Sequence, residues 1–244
     1  MELEGKVAVI TGGAVRVGRA LTLALAEAGC DVFIHYGRSA APAQQTRADA
    51  VAFGVEAHIY SANLADAAAT QGIIPAAVDR CGQVDVLINS AAIFPEEDTF
   101  STTELPLWDK LFAINLRAPF LLSQAFAAQV PPDGQGKIIN ILDARLRRPA
   151  PDHFVYRLAK GGLWNMTEML AHELAPRITA NAVALGAILP PPGADVTNLE
   201  NLAQTQVPLK QPGSPEIVAE NVLHLLRQDF LTGVVIPIDG GQFL

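Results

Sequence analysis

The alternation of short apolar segments rich in β-branched residues with longer segments of helical period most limits how this chain can fold. No linker rich in proline, serine or glycine divides its 244 residues. Because such alternation produces a parallel sheet with crossover helices, we expect residues 1–244 to form one α/β domain, a doubly wound parallel sheet with helices on both faces. The seven predicted strands cover residues 7–11, 31–36, 55–60, 84–89, 137–142, 179–185 and 233–238. The six predicted helices begin near Gly18, Ala41, Ala65, Leu105, Phe154 and Pro215.

The composition narrows the class of protein. Half of the residues are hydrophobic (50%), which suffices for a large core, and the net charge of -8 argues against general nucleic-acid binding. No uninterrupted apolar run reaches the roughly 18 residues needed to cross a bilayer, and the acidic opening segment does not resemble a signal peptide. Cys30 and Cys81 show neither CxxC spacing nor histidine neighbours. We therefore expect a cytoplasmic protein with no membrane partner, no disulfide framework and no metal site.

The longest irregular stretch covers residues 187–213 and contains Pro190, Pro191 and Pro192. Because it follows a late strand, we interpret it as a possible lid over a substrate site. An inert surface loop is the alternative.

The turn after the first strand has the composition of a phosphate-binding loop. Ligands of an open parallel sheet bind beyond the carboxyl ends of its strands, and this turn reads TGGAVRVG from Thr11 to Gly18. We expect Gly12, Val17 and Gly18 to bring backbone and a helix N-terminus close to a pyrophosphate. Arg16 would contact phosphates or extend into the pocket, since a guanidinium can bind two oxygens at once. A plain strand-to-helix turn is the alternative.

The ends of the second and third strands suggest the cofactor. No acid follows the second strand to bind a ribose 2′-hydroxyl, and Tyr36, Arg38 and Ser39 stand there instead. A cation and a hydroxyl suit the 2′-phosphate of NADP, unless Arg38 is only a solvated surface residue. Asn63 and Leu64, after the third strand, are placed to contact adenine.

The fourth strand ends in small residues followed by an aromatic ring. Asn89 and Ala91 lie in the segment NSAAIF, where a flat cofactor could lie against the backbone. Phe94 follows beside the expected nicotinamide position. It is interpreted either as a core residue or as a surface on which a substrate ring stacks.

Tyr156 and Lys160 form the decisive pair. They are four residues apart in a segment of helical pattern, so their side chains project from one face. A phenol is a poor acid or base at neutral pH unless a cation stabilises its phenolate. We expect the Lys160 ammonium to do this and to hold the ribose of a nicotinamide.

The motifs TGGAVRVG, NSAA, FAINLRAPF, YRLAK and VVIPIDGGQF together resemble the short-chain dehydrogenase/reductase family, from about Gly5 to the C-terminus. The resemblance implies a Rossmann-type fold with Tyr156 as general acid/base, Lys160 as the group that lowers its pKa and binds ribose, and Asn115 holding a water in a proton relay. It also implies cofactor contacts at Gly186 and Ile188. A homodimer or homotetramer through the two long helices after the fourth and fifth strands is implied as well.

Two departures from the family pattern, together with the segment HYxRS after the second strand, resemble the pteridine reductase branch of that family. Arg16 stands where the family has a glycine, and Asp143 stands where it has a serine. In that branch the implied trio is Asp143, Tyr156 and Lys160, with Phe94 stacking on the pterin and Arg16 near phosphates and substrate. Against this branch, Ala92 replaces a frequent serine, and Leu185-Gly186 replaces the usual Pro-Gly.

Asp143 is informative in its own right. A carboxylate would repel the developing alkoxide of a ketone, but it can accept a hydrogen bond from a substrate N–H or O–H, or carry a proton itself. Arg145, Arg147 and Arg148 follow at the expected pocket edge, where they either attract an acidic substrate tail or are simply solvated.

We therefore expect an NADPH-dependent reductase of a pterin-like, dihydropteridine or dihydrofolate type small molecule. The alternatives are an NADPH-dependent carbonyl or 3-oxoacyl reductase and a catalytically silent NADP-binding regulatory module.

Overall fold

The structure is a computed structural model that describes residues 1–190 and 195–244. Seven strands form one parallel sheet in the order β3-β2-β1-β4-β5-β6-β7. The strands are β1 Val7–Thr11, β2 Asp31–Tyr36, β3 Ala57–Ser61, β4 Val86–Asn89, β5 Gly136–Asp143, β6 Ile178–Leu185 and β7 Val235–Ile238. The α-helices are α1 Arg16–Glu27, α2 Ala40–Val51, α3 Ala67–Gln71, α4 Ile73–Cys81, α5 Leu105–Phe112, α6 Ala118–Gln129, α7 Phe154–Glu173, α8 Val196–Gln206 and α9 Pro215–Arg227.

The sheet is buried on both faces, which explains why its central strands are almost continuously apolar. Along β1, Ala8 and Ile10 pack into one apolar layer with α1, α2 and α9, whereas Val7 and Val9 pack into the opposite layer with α4 and α6. Full burial of a leucine-sized side chain contributes about 1.5–3 kcal/mol, so these two layers supply the main stabilisation of the fold. The predicted fold class is confirmed.

The order of the strands creates the crevice. The chain runs from β1 outward to β3 and then returns to place β4 on the other side of β1. The loops after β1 and β4 therefore lead to opposite faces of the sheet and leave a cleft between them at its carboxyl edge.

The helices differ from expectation in three places. The helix expected near Ala65 is split into α3 and α4, and the one expected at Leu105 continues through a π-helical turn, Ala113–Arg117, into α6. The stretch 187–213 is not irregular throughout, because it contains α8, whose first turn is capped by the Asp195 carboxylate. Residues 191–194 of that stretch lie outside the described residues, and the lid interpretation stays a prediction.

One helical run in the described part of the chain, Leu105–Gln129, is long and apolar enough to cross a membrane by length and composition alone. It has 25 residues and a mean hydropathy of 1.3 in its most apolar window, of which 44% is buried within the protein. Core helices meet the same test. The sequence did not predict this run as an uninterrupted apolar segment, because Asp109, Lys110 and Arg117 lie within it.

Candidate active site

The turn after β1 is built by close backbone packing. A methyl group on Gly18 would overlap the carbonyl oxygen of Gly12 and lie 2.8 Å from its carbonyl carbon. A methyl group on Gly12 would lie 3.0 Å from the Cα atom of Ala91, in the loop after β4. Thr11 links the same loops, since its Oγ1 accepts hydrogen bonds from the backbone N–H groups of Ser90 and Ala91, both at 3.0 Å. The glycines thus draw the two cleft loops together at the N-terminus of α1.

Arg16 stands in this turn with a backbone conformation that favours glycine. Its φ is 55°, in the left-handed region, where a residue with a Cβ atom is strained by roughly 1–2 kcal/mol. The exposed guanidinium donates a hydrogen bond of 2.7 Å to the carbonyl oxygen of Pro190, in the loop after β6. Arg16 therefore lies across the cleft, between the turn after β1 and the loop after β6.

His35 is a site residue that the sequence reading did not assign. Its Nδ1 accepts a 3.2 Å hydrogen bond from the backbone N–H of Gly12, and its Nε2 lies 3.1 Å from the carbonyl oxygen of Ala62. Both bonds require a neutral ring that is protonated on Nε2. Burial lowers the pKa of His35, against the opposing effect of the Ala62 carbonyl, so the neutral ring is favoured. The only sequence signal was a histidine within an otherwise apolar strand.

The residues that follow β2 include a basic side chain and no acidic one. Arg38 is exposed, and Ser39 begins α2 without a side-chain capping bond. Tyr36, the last residue of β2, is half-buried. Asn63 is exposed after β3, but its Oδ1 already accepts a hydrogen bond from the N–H of Ala65 at 3.1 Å.

A buried polar chain crosses the sheet beneath the cleft. Asn89 Nδ2 donates to Asn140 Oδ1 at 2.9 Å, and Asn140 Nδ2 donates to Thr167 Oγ1 at 2.9 Å. Asn89 Oδ1 is buried and has no hydrogen-bond partner among the described residues. Since buried polar atoms are almost always paired, this oxygen is a candidate acceptor for a ligand.

Tyr156, Asp143 and Lys160 converge at the carboxyl edge of β5. The Tyr156 hydroxyl donates to Asp143 Oδ2 at 3.2 Å, and Lys160 Nζ donates to the carbonyl oxygen of Ile141 at 2.8 Å. Asp143 is the last residue of β5, and α7 carries the other two one turn apart. Tyr156 and Lys160 are 6% and 3% exposed, so this cluster is shielded from bulk water.

The electrostatics of Tyr156 differ from the sequence expectation. Burial, and next the Asp143 carboxylate, raise the pKa of Tyr156 well above 10, while Arg145 and Arg157 act in the opposite direction. Burial lowers the pKa of Lys160 to about 8, with Asp143 opposing. Lys160 is not among the groups that account for this shift in the pKa of Tyr156. The phenol holds its proton at neutral pH, as a proton donor must.

Phe94 lies over the Tyr156 side chain as part of an aromatic group. The Phe94 ring is 41% exposed, and its centroid lies 4.9 Å from the Tyr156 ring in an edge geometry and 4.3 Å from the His153 ring. The Arg145 guanidinium lies 4.8 Å from the Phe94 centroid, and its Nε pairs with Asp143 Oδ2 at 2.9 Å. Phe94 is therefore an accessible surface beside Tyr156.

Asn115 lies in the π-helical turn and is fully buried. Its Oδ1 accepts from the N–H of Ile93 at 2.9 Å, and its Nδ2 donates to the carbonyl oxygen of Ile93 at 3.0 Å. The side chain thus fixes the segment that carries Phe94, and its expected place in a proton relay stays a prediction.

Asp98 is a second residue that sequence reasoning missed. It is 2% exposed and lies in the loop after β4. Its Oδ2 accepts the backbone N–H of Tyr156 at 2.7 Å, and its carbonyl oxygen accepts the N–H of Phe154 at 2.9 Å. No sequence signal pointed to this contact, because the partners are 58 residues apart.

The segment after β6 packs against the end of β7. A methyl group on Gly186 would lie 2.6 Å from Asp239 Cβ, and the N–H of Gly186 donates to the Ile238 carbonyl oxygen at 2.9 Å. Ile188 is 5% exposed.

These features fit a phosphorylated dinucleotide. The turn after β1 is closely packed at the N-terminus of α1, Asn89 Oδ1 is an acceptor with no hydrogen-bond partner among the described residues, and Arg38 is an exposed cation after β2. The cofactor assignment of the full set remains a prediction for each residue. That set is Gly12, Arg16, Val17, Gly18, Tyr36, Arg38, Ser39, Asn63, Leu64, Asn89, Ala91, Lys160, Gly186 and Ile188.

Comparisons with known proteins identify the family. The family model described as enoyl-(acyl carrier protein) reductase matches residues 13–242. The 3-oxoacyl-[acyl-carrier-protein] reductase of Synechocystis sp. is 32% identical, over 99% of this chain and 98% of its own length. The chain is a member of the short-chain dehydrogenase/reductase family.

Solved structures of this short-chain dehydrogenase/reductase family define the cofactor. The FolM alternative dihydrofolate reductase 1 from Brucella canis, complexed with NADP, has a TM-score of 0.92 and 32% identity and covers 100% of this chain and 96% of its own. A short chain dehydrogenase from Burkholderia cenocepacia J2315, also in complex with NADP, has a TM-score of 0.93 and 29% identity, and coverage is 100% of both chains. The protein is an NADP-dependent reductase of small molecules.

Proposed function

We propose that this NADP-dependent reductase acts on a pterin-like ring of the dihydropteridine or dihydrofolate type, with Tyr156 as the proton donor. The observation that carries the proposal is the Asp143 carboxylate, which accepts the Tyr156 hydroxyl at 3.2 Å in a shielded cluster.

Asp143 favours a nitrogen heterocycle over a ketone. A ketone develops negative charge on oxygen as it is reduced, and a carboxylate beside that oxygen opposes the charge. An aminopyrimidine ring presents N–H donors, which a carboxylate accepts with strong charge-assisted bonds. Arg145 pairs with Asp143 at 2.9 Å and also bonds it through its backbone N–H at 2.9 Å, which supports the acceptor form.

The proton step follows from the same geometry. Bound NADPH supplies the hydride, which reduces the carbon of a ring C=N bond. Tyr156 holds its proton at neutral pH because burial and Asp143 raise its pKa. It donates that proton to the adjacent ring nitrogen, so one hydride and one proton saturate the bond. Lys160, with a pKa lowered by burial to about 8, is mostly charged at neutral pH. Its ammonium would bind ribose hydroxyls.

Phe94 gives the ring a surface on which to bind. Phe94 is 41% exposed and lies next to Tyr156, so a flat substrate would stack against its accessible part, and such stacking contributes roughly 0.5–1.5 kcal/mol beyond burial. Arg16, across the cleft, would contact the cofactor phosphates and the substrate edge.

The relatives support both this proposal and its main alternative. The Brucella canis structure is named as a dihydrofolate reductase, whereas the Synechocystis relative is named as a 3-oxoacyl-[acyl-carrier-protein] reductase. The alternative is therefore a carbonyl or 3-oxoacyl reductase, and the Asp143 carboxylate is the feature that argues against it.

The test compares dihydrobiopterin, dihydrofolate and dihydromonapterin with simple ketones and a 3-oxoacyl thioester, by following NADPH absorbance. We expect turnover of the dihydropteridines. Tyr156→Phe should lower it by at least about a hundredfold, in the range of a lost general acid. Tyr60→Phe, the same chemical change in the edge strand β3, should leave it unaltered. Ketone turnover without pterin turnover would refute the pterin proposal, and undiminished turnover by Tyr156→Phe would refute the proton donor.

Asp143→Ser separates the two substrate classes. The serine hydroxyl would donate to a ketone oxygen, so pterin turnover should fall while ketone turnover rises. If both fall together, Asp143 does not select the substrate.

A catalytically silent NADP-binding module is the alternative from another class. The Tyr156–Asp143 pair argues against it, because a sensor has no need of a buried proton donor. Tight NADPH binding with no oxidation across the whole panel would favour it.

The oligomer is also a proposal. Between α6 and the middle of α7, Leu116, Phe120 and Met166 line an open apolar cavity. Phe120 and Met169 are 47% and 65% exposed. These surfaces suit a homodimer or homotetramer through the two long helices, and light scattering on the purified protein measures its mass. A cytoplasmic location stays a prediction.

A further inference from the structure

The N-terminus of α7 lacks a local cap. His153 precedes it with φ 48° and ψ 50°, a left-handed conformation, and makes no capping bond with its side chain. The first bond within the helix is from the N–H of Arg157 to the carbonyl oxygen of His153, at 2.8 Å. The N–H groups of the first turn must therefore find acceptors elsewhere.

Asp98 provides two of these acceptors from a distant loop. Its Oδ2 binds the N–H of Tyr156 at 2.7 Å, and its carbonyl oxygen binds the N–H of Phe154 at 2.9 Å. The Thr103 hydroxyl lies 2.6 Å from the other carboxylate oxygen, Oδ1. Among the described residues no cation pairs with Asp98, so the amide groups at the helix start and Thr103 are what compensate this buried carboxylate.

The same loop carries Phe94. Asp98 follows Phe94 by four residues, and the Phe94 ring contacts Tyr156 at 4.9 Å between centroids. The bond from Asp98 to the backbone of Tyr156 therefore holds the stacking surface and the proton donor in one relative position. A shift of about 1 Å at a reacting group can lower a rate by about a hundredfold.

We propose that Asp98 is a positioning residue, which places the Tyr156 hydroxyl by capping the first turn of α7. This rests on the proposed role of Tyr156 as proton donor. Asp98 does not touch the reacting atoms, and its effect passes through the backbone of Tyr156.

Asp98→Leu removes the acceptor while keeping the branching of the side chain, and Asp98→Asn retains an acceptor. In Asp98→Asn, Oδ1 of the amide can accept the Tyr156 N–H, while its NH₂ donates to Thr103, whose own proton can turn to the carbonyl oxygen of Thr99 at 2.7 Å. We expect Asp98→Leu to lower kcat about 10- to 100-fold with NADPH affinity and KM within about threefold, and Asp98→Asn to restore most of kcat. Glu97→Leu, which removes the neighbouring exposed carboxylate, is the matched control and should leave kcat unchanged.

Two further measurements keep the proposal falsifiable. Hydrogen exchange of the Tyr156 amide should be faster in Asp98→Leu and near the wild-type rate in Asp98→Asn. Thr103→Val, a milder change, should lower kcat about two- to tenfold through the loosened carboxylate. A kcat within twofold of wild type in Asp98→Leu overturns the proposal, and so does an Asp98→Asn variant as slow as Asp98→Leu.

A double variant separates this proposal from the proposed function. Asp98→Leu should have no further effect on the residual turnover of Tyr156→Phe, because it acts through Tyr156. An equal loss in both backgrounds overturns the positioning role. Undiminished turnover by Tyr156→Phe alone would instead refute the proposed function.

Discussion

Substitution of Gly18 by alanine tests whether close backbone packing in the turn after β1 builds a site for the cofactor phosphates. The new methyl group would overlap the Gly12 carbonyl oxygen and lie 2.8 Å from its carbon and 3.1 Å from Gly13 Cα. Gly18 lies in the first turn of α1, so either the helix or the turn must move.

The size of the effect follows from these distances. Non-bonded carbon atoms rest about 3.5 Å apart, so the turn must shift by roughly 1 Å to clear both atoms of the Gly12 carbonyl. Overpacking of this kind costs about 1–3 kcal/mol, partly offset by the 0.5–1 kcal/mol that alanine gains over glycine in a helix. We expect Gly18→Ala to lower the free energy of unfolding by about 1–2 kcal/mol, and Tm by about 2–8 °C.

NADPH affinity is the decisive measurement. A 1 Å shift misplaces the backbone N–H groups that would bind the pyrophosphate, so the Kd from NADPH fluorescence should rise at least about tenfold. Gly161→Ala is the matched control, because a methyl group there has nothing within 4 Å, and it should slightly raise Tm and leave Kd within twofold. If a folded Gly18→Ala protein binds NADPH as tightly as wild type, the packing does not build the cofactor site.

Three other changes test the cleft. Arg38→Ala should lower the NADPH/NADH affinity ratio by about tenfold or more, as expected for loss of a charged phosphate contact, and an unchanged ratio would exclude Arg38 from the 2′-phosphate site. Both Arg16→Gly and Arg16→Ala should weaken NADPH binding. The free energy of unfolding measured in urea should be about 1 kcal/mol higher for Arg16→Gly than for Arg16→Ala, because alanine is strained in the left-handed conformation and glycine is not. The pKa of His35 is lowered in the folded protein, so as the pH falls below about 6.5 the unfolded chain binds a proton before the folded protein does. The free energy of unfolding should therefore decrease as the pH falls below that value. His35→Gln can make both bonds without titrating, so its unfolding free energy should show a weaker pH dependence over that range.

Local sequence patterns predicted the parts of the site that local geometry builds. The i and i+4 spacing placed Tyr156 and Lys160 on one helix face, and α7 carries both. The glycines after the first strand predicted a turn that leads into a helix, and α1 begins there. The third glycine of the family pattern also has a structural meaning here, because Arg16 keeps the positive φ that a glycine would adopt freely.

Contacts between distant segments could not be predicted in this way. His35 binds Gly12 and Ala62 through its side chain, and Asp98 binds the backbone of Tyr156, 58 residues away. A pattern along the sequence does not predict these contacts, because each contact depends on how the crossover connections bring separate strand ends to one edge of the sheet. The helix α8 inside 187–213 was not predicted for a different reason, since Pro190, Pro191 and Pro192 come before it and prolines are typical of irregular segments.

The sequence by itself determined the parallel sheet, the glycine-containing turn after β1, the missing acid after β2 and the Tyr/Lys pair, because each depends on residues that are neighbours in the chain. Only the tertiary structure decided the electrostatics of Tyr156. The sequence indicated that Lys160 would lower its pKa, but burial and the Asp143 carboxylate raise it. The energy of a charge depends on how much water surrounds it and on which charges face it across the fold. Neither quantity can be read from spacing along the chain.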